Sequence, residues 1–527
     1  MSSDELATIA QKAAHGGLFL FVGNALSTVI LAVGIIIVAR LLGPSDYGLY
    51  TLALVIPLLL VSLSDAGMSF ALVRLPARLR AEGNYRRAYR LVRLGFLLKL
   101  AISTVASLLC YVGSTVIATT VLNRPELVPF VQIASLIIVF QALVDATISS
   151  FIGQDLMQYS AGVQIMNAVI KGTSGPALVL VGFGVAGALS GFVLSLVAAG
   201  LTGATILFAR HVHSSNQVAN PASTEIRAIL VYGLPLYLAA TLGVLLPQYQ
   251  NILLAHFASN VEIGNFGATW NFTQFMMILI YPITTAIFPM FSKMDPKSQG
   301  SDLARGFVLA VKYTSLLMIP ASVAVMVFSR DLIYLTYGSS YVFAPQYLIL
   351  LSALYLLTAI SYLVLGSFLT GVAETRTVVK MSVLTLVVYL PLGPALAWLW
   401  GPYGLLIAYI LSNACSTVYG IRETSTRFDA RPDLKAGGRI LLAALGAAIP
   451  TLGLTLLDGA GVGVVNLVIG GLLYLLVYLT LAPIIGAVDK QDVLNLRTLL
   501  AGTRIVATLL NPVFDYEMRL LSVTRRK

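Results

Sequence analysis

Charge is what this chain has least of. Only 10% of its 527 residues are Asp, Glu, Lys or Arg, while 58% are hydrophobic, and the mean hydropathy is +0.89. An ordinary soluble domain carries about 25% charged residues, so too few polar groups exist here to cover a water-facing globule of this size. Cysteine is nearly absent. Cys110 and Cys415 both fall in apolar runs, which excludes a disulfide framework and reads as two buried thiols. There is no Gly-x-x-x-x-Gly-Lys-[Ser/Thr] loop, so the chain is not expected to hydrolyse nucleotide. A serine elbow, a zinc motif and a large catalytic loop are also missing. The four histidines are scattered, and His211-x-His213 sits in a polar loop with little promise for a metal. The expectation is a protein that is not an enzyme and binds no metal or cofactor. Alternation in roughly 10-residue segments, the mark of a membrane β-barrel, is absent as well.

Apolar stretches near 20 residues remain, each matched to one helical crossing of the bilayer. The run 18–42 is too long for a signal-peptide core and lacks a convincing cleavage site, so it reads as the first crossing. Crossings are expected at 17–42, 47–73, 91–121, 127–152, 160–181, 184–209, 227–256, 264–291, 306–329, 343–370, 376–399, 402–421, 437–457 and 464–488. About fourteen crossings put both termini on one side. If that side is the cytoplasm, the outer segments hold only Arg40, Arg124 and Arg330, and Lys99, Lys171 and Lys312 lie within helices. Every other Lys and Arg of the 33 then faces inward, as the positive-inside rule requires. The net charge of +11 is thereby spread over inner loops beside anionic lipid headgroups, which removes a nucleic-acid reading. The expected location is the plasma (cytoplasmic) membrane.

The chain repeats itself. Shifted by 216 residues, Gly17, Leu18 and Leu20 fall on Gly233, Leu234 and Leu236, and Gly48 falls on Gly264. The run Gly175-Pro-Ala-Leu178 recurs as Gly393-Pro-Ala-Leu396, followed in each copy by Gly184 and Gly187 or by Gly401 and Gly404. Six helices per copy is an even number, so the copies are related by an axis along the membrane normal. The expected fold is an all-α polytopic membrane protein. It has two pseudo-symmetric six-helix lobes around a central cavity, plus two C-terminal helices. Its parts are an interfacial helix at 1–16, the first lobe at 17–209, a linker at 210–226 and the second lobe at 227–421. A loop at 422–436, two helices within 437–488 and an amphipathic tail at 489–527 complete it.

The stretch Arg40-Leu-Leu-Gly-Pro-Ser-Asp-Tyr-Gly-Leu-Tyr50, followed by Ser64-Asp-Ala-Gly-Met-Ser-Phe-Ala-Leu-Val-Arg74, closely resembles the first-second helix signature of polysaccharide (Wzx-type) flippases. These share a superfamily with the multidrug and toxic-compound extrusion (MATE) antiporters and the peptidoglycan lipid II flippases. Gly233-Leu-Pro-Leu236, Gly264–Trp270, Ile287-Phe-Pro-Met-Phe291 and the Gly393–Gly404 segment also look like that family, so the resemblance runs from about residue 10 to 425. There is one departure. Many family members carry an Asp-Arg-like pair in the seventh helix, where this chain has Gln250-Asn251. The resemblance implies an isoprenoid lipid carrying a saccharide through one or two phosphates, moved from inner to outer leaflet. Glycosyltransferases or a glycan polymerase would be its working partners.

Such a substrate needs cations for phosphate and polar groups for sugar. Lys171 lies near the bilayer midplane, where an ammonium costs roughly 2.5–3.5 kcal/mol and cannot easily reach the headgroups. It reads as a phosphate anchor or as half of a structural ion pair. Lys99, Asp65 and Asp145 share the inner third, as plain ion pairs, as an ion-coupling site for a proton or sodium gradient, or as a headgroup site in which Lys99 helps Lys171 bind phosphate. Arg40 marks the outer end of the first helix, where snorkelling and phosphate release are even readings. Asn24, Gln250 and Asn251 place amides inside helices, for interhelical bonding or sugar contact. Lys312 is expected to snorkel, and Arg330-Asp331 to cap an outer turn. A lipid-linked oligosaccharide flippase is the first reading. An ion-coupled antiporter of cationic drugs, of the MATE type, is the second, and a membrane glycosyltransferase is disfavoured by the short outer loops.

Overall fold

The computed structural model describes residues 3–209, 222–292, 300–457, 463–500 and 504–524, and every regular element among them is helical. The first compact unit, Met1–Gly267, holds α1 (Ser3–Ala53), α2 (Val55–Asp65), α3 (Met68–Ala81) and α4 (Tyr85–Val112). It continues with the short α5 (Ser114–Val116), then α6 (Val128–Ile152), α7 (Met157–Leu178), α8 (Gly184–Ala209), α9 (Ala222–Phe257) and the start of α10 (Asn260–Ser292). The second unit, Ala268–Lys527, holds the rest of α10, then α11 (Gly300–Val327), α12 (Ser329–Thr336), α13 (Ala344–Leu356) and α14 (Tyr362–Gly371). It ends with α15 (Thr375–Phe428), α16 (Leu434–Leu457), α17 (Val464–Ile485), α18 (Lys490–Leu500) and α19 (Arg504–Thr524).

Eight helices, or nine if the bent pair α13–α14 is one span, are long and apolar enough to cross a membrane among the described residues. Three of these stretches, of 63, 53 and 54 residues, are far longer than the ~20 a bilayer needs. Glycine turns fold them back. Gly43 (φ 73°, ψ 171°) breaks α1, and Pro44 restarts it at the position where a missing N–H costs nothing. Gly184 starts α8 at φ 51°, ψ −134°, and Gly401 divides α15 at φ 55°, ψ −135°. With α9 and α10, whose side chains are only partly described, the architecture is consistent with fourteen crossings.

The two copies of the repeat carry the same backbone irregularities. Gly184 and Gly401, which the sequence pairs, adopt nearly one conformation, open only to glycine. The α6–α7 turn puts Asp155 at φ 59°, with the Leu156 N–H donating to Phe151 O at 2.9 Å. The α14–α15 turn puts Ala373 at φ 62°, with the Glu374 N–H donating to Leu369 O at 2.8 Å. Gly48 and Gly264, also paired by the repeat, touch each other: a Cβ on Gly48 would meet Asn260 O and the Gly264 nitrogen, and one on Gly264 would meet Pro44 O and the Gly48 nitrogen. The contact is reciprocal, as it is at a local two-fold.

Several expectations differ from the structure. α1 runs from Ser3 past residue 16, so the stretch 3–16 is continuous with the first crossing. Gly16-Gly17 supplies only a propensity cost of ~1 kcal/mol per glycine, with no proline or left-handed residue to end a helix. α9, placed by the repeat at the head of the second lobe, packs on α2, α3 and α4 of the first unit. Cys110 is buried, but Cys415 is exposed. The tail forms two helices, α18 and α19, packed on each other, and α19 lies on α17. Val493, Phe514 and Leu521 join a core with α11, α16 and α17, so these apolar side chains of the tail pack on the protein itself. Lys312 does not snorkel. Its Nζ bonds Asp492 Oδ2 at 2.5 Å and Asp489 Oδ2 at 3.4 Å, reaching the α18 N-terminus. Asp331 accepts from the Gly463 N–H at 3.2 Å, tying α12 to the start of α17. Most of the linker, with His211 and His213, lies outside the described residues.

Candidate functional site

The α2–α3 break creates the first charged group. Ala66 (φ 43°, ψ 27°) and Gly67 (φ 77°, ψ 9°) turn left-handed, ending α2 on Asp65 and restarting the helix at Met68. Gly67 is forced: its backbone lies against that of Gly233 in α9, leaving no room for a Cβ on either. Asp65 Oδ1 accepts from Lys99 Nζ at 2.5 Å and from Ser69 Oγ at 2.6 Å, and Lys99 also donates to Ser69 Oγ at 2.7 Å. One helix position away, Ser103 Oγ donates to Ser64 Oγ at 3.3 Å. Lys99 is 1% exposed, so its charge is consumed inside the lobe. Asp145 of α6 accepts from Gln141 Nε2 at 2.8 Å and lies within electrostatic range of both Lys99 and Asp65. The ammonium thus has one carboxylate in direct contact and a second carboxyl group nearby.

Lys171 is placed differently. α7 approaches α1 through Gly172 against Gly34 and approaches α8 through Gly175 against Gly191, and neither Gly34 nor Gly191 has room for a Cβ. The Ser174 hydroxyl donates across to Gly191 O at 3.0 Å. Between these close approaches the Lys171 ammonium rests over the Phe192 ring, 3.1 Å from its centroid. Among the described residues no carboxylate lies within ion-pairing distance of it. A cation–π contact supplies roughly 0.5–2 kcal/mol, short of compensating a charge at mid-span. The polar residues of α7 form a stripe: Ser160, Gln164, Asn167, Lys171 and Ser174 recur at spacings of four and three, which puts them on one helix face. Asn167 Oδ1, one turn from Lys171, is buried without a hydrogen-bond partner.

Of the other candidates, Asn24 and Arg40 are exposed on α1, Gln250 is buried on α9 with an unpartnered Nε2, and Asn251 is half-buried. The structure therefore brings Lys99, Asp65 and Asp145 together and keeps Lys171 apart from carboxylates. Sequence reading missed Asn167 and Ser69. Both were findable, since each stands one helical turn from a singled-out charge, Lys171 or Asp65. Arg74, which closes the second signature stretch, has a defined partner. It donates to the Tyr232 hydroxyl at 3.0 Å and stacks over that ring, while Arg87 pairs with the buried Glu225 at 2.8 Å. These two arginines fasten α9 to α3 and α4. Tyr232 and Glu225 carried no signal, because their partners are about 140–160 residues away.

A profile of the polysaccharide biosynthesis protein family matches residues 13–295, more than half of the chain. The probable low-salt glycan biosynthesis flippase Agl15 of Haloferax volcanii is 22% identical over 282 residues, covering 54% of this chain and 59% of that protein. Among solved structures, an inward closed lipid II flippase MurJ superposes with a TM-score of 0.70 at 15% identity, over 89% of this chain and 98% of its own. An inward-facing MATE multidrug transporter of the MOP superfamily superposes with a TM-score of 0.65 at 17% identity, over 78% and 98%. The fold is thus the one shared by the MOP-superfamily transporters, and the chain belongs to the polysaccharide biosynthesis protein family.

Proposed function

We propose that this membrane protein is a flippase. It moves an oligosaccharide linked to a polyprenyl phosphate or diphosphate from the inner to the outer leaflet, by alternating access, for surface polysaccharide or glycoprotein assembly. The observation that carries the reading is Lys171. An uncompensated ammonium at mid-span costs a membrane protein several kcal/mol of insertion energy, and an anionic cargo is the group that would repay it. The unpartnered Asn167 Oδ1 on the same face adds an acceptor for a phosphate-linked hydroxyl. Family membership and the Agl15 and MurJ likenesses support the same substrate class. Arg40, Asn24, Gln250 and Asn251 are the further contacts we assign to headgroup and sugar. The reading makes the protein a transporter rather than an enzyme, in the plasma membrane with both termini cytoplasmic, receiving cargo from glycosyltransferases and passing it to a polymerase or ligase.

The Lys99–Asp65–Asp145 group has one carboxyl more than it has cations, and we assign it to coupling with a proton or sodium gradient. A MATE-type drug antiporter shares the fold, so the fold does not decide between the two. Lys171 favours the flippase, since an ammonium would repel a cationic drug and attract a phosphate. In proteoliposomes, wild-type protein is expected to make a radiolabelled polyprenyl diphosphate saccharide accessible to periodate on the far side. Lys171→Ala should slow this at least tenfold and Lys171→Arg should retain part of it. Wild-type rates in Lys171→Ala would remove the phosphate assignment. Absence of flipping together with extrusion of cationic drugs would replace the function.

A further inference from the structure

The second unit holds a neutral aromatic cluster at mid-span. Trp270 of α10 meets Tyr409 of α15 edge-on, with ring centroids 5.4 Å apart and planes at 63°. Tyr389, from the other arm of α15, meets Tyr409 at 6.3 Å. The Tyr355 and Tyr362 hydroxyls, from α13 and α14, converge on Tyr409 closely enough to interact electrostatically. Asn413, one turn past Tyr409, donates Nδ2 to the Tyr409 carbonyl at 2.8 Å and brings an amide to the same place.

Depth follows from helix counting. Trp270 is roughly ten residues past Asn260, ~15 Å, and Tyr409 roughly eight past Gly401, ~12 Å. Both counts start from the same membrane face and end near the middle of a hydrocarbon layer ~30 Å thick. Phenylalanine would fill this space more cheaply, because an unbonded hydroxyl in apolar surroundings costs about 1–3 kcal/mol. Tyr355 finds the Thr273 hydroxyl, but the Tyr362 hydroxyl has no hydrogen-bond partner among the described residues. Trp270, Tyr362, Tyr409 and Asn413 are only partly buried, so the cluster keeps an accessible face. Broad apolar faces with a few placed polar tips and no formal charge make a wall for a neutral, amphipathic ligand. A pyranose ring matches it, with a C–H face that packs on aromatic rings and hydroxyls around its edge.

We propose that this cluster on α10, α13, α14 and α15 binds the neutral saccharide part of the cargo, with the faces of Trp270 and Tyr409 taking its C–H surface and Tyr355, Tyr362 and Asn413 bonding its hydroxyls. The inference rests on the lipid-linked saccharide reading above.

The test measures binding to the full chain in nanodiscs. The probes are farnesyl diphosphate and its glucosyl, galactosyl, mannosyl and N-acetylglucosaminyl esters. At least one glycosyl probe should bind tenfold or more tighter than bare farnesyl diphosphate. Tyr409→Leu and Tyr362→Phe should each cut that preference at least fivefold, leaving the bare probe's affinity unchanged. Tyr409→Phe, which keeps the ring, should lose less than Tyr409→Leu. Equal weakening of bare and glycosylated probes in these variants is the result of a packing defect and overturns the site. So does wild type without any glycosyl preference. Lys171→Ala provides the separate check on the function: it should weaken every probe alike. Wild type that binds none of the probes would sink the function and this inference together.

Discussion

Lys99 and Lys171 are the same residue type at similar cost, and the protein uses them in opposite ways. Lys99 is enclosed by Asp65 and Ser69, so removing it strands a carboxylate. Breaking one side of a buried pair typically costs about 3–5 kcal/mol. Lys99→Met is expected to cost that much, and Lys99→Met with Asp65→Asn to recover most of it, read by thermal unfolding in detergent as a double-mutant cycle. Additive losses would show that the pair does not interact. Lys171 has no such partner, so Lys171→Met should leave unfolding unchanged or raised while transport falls. Sequence placed Lys99, Asp65 and Asp145 at one depth by counting along helices. It left the pairing open because depth does not fix which faces meet. Lys312, expected to snorkel, differs for a related reason: its partners Asp489 and Asp492 lie far along the chain, in the amphipathic tail.

Turns and terminal helices set the next scale. Gly184 and Gly401 occupy a region of backbone space that a Cβ forbids. Alanine at either should destabilise by about 1–3 kcal/mol, with nearly equal losses at the two positions, measurable as matched falls in melting temperature. Unequal losses would mean the two turns are not equivalent. The α18–α19 pair is a second element with its own chemistry. Glu517 of α19 is 6% exposed, and burial, with the Asp492 carboxylate nearby, pushes its carboxyl up to about 7 from an ordinary 4.5. Tyr478 of α17 faces it, and Lys312 stands behind Asp492. A raised carboxyl binds its proton more tightly when α19 is docked. Docking is therefore firmest below about pH 4.5, weakens as pH rises towards 7, and carries its full cost above that, at most about 3 kcal/mol. Asp489 is shifted the other way. Burial raises it, but the Asp492 N–H and the Lys312 charge outweigh that and hold it below the usual carboxylate range, so it stays ionised through this window. Hydrogen exchange of α19, corrected for intrinsic rates, should be faster at pH 8 than at pH 6 in wild type and insensitive to pH in Glu517→Gln. The sequence showed the tail's amphipathic face but not what it would cover, since a stripe of Val and Leu suits lipid and protein equally.

At the scale of the molecule, apolar length and the distribution of arginine made the helical membrane class legible, and matches such as Gly175–Leu178 with Gly393–Leu396 made the repeat legible. Fourteen crossings require both ends on one side. Ser2→Cys and Lys527→Cys, each placed in a chain lacking Cys110 and the exposed Cys415, should be protected together from an impermeant maleimide in intact cells, and labelled together once the membrane is opened. One labelled and one protected would make the count odd. The seam between compact units was not legible. The repeat assigns α9 to the second half, yet Gly67 against Gly233, Arg74 on Tyr232 and Arg87 on Glu225 bind it to the first. Those contacts are single residues on distant segments, invisible to periodicity. The Gly48–Gly264 contact has a consequence of a different kind. A residue that meets its own counterpart is what two identical chains make when they pair as a homodimer. Here a self-matching point of that kind lies within one polypeptide, so a Cβ added at Gly48 and one added at Gly264 would strike the same seam from its two sides.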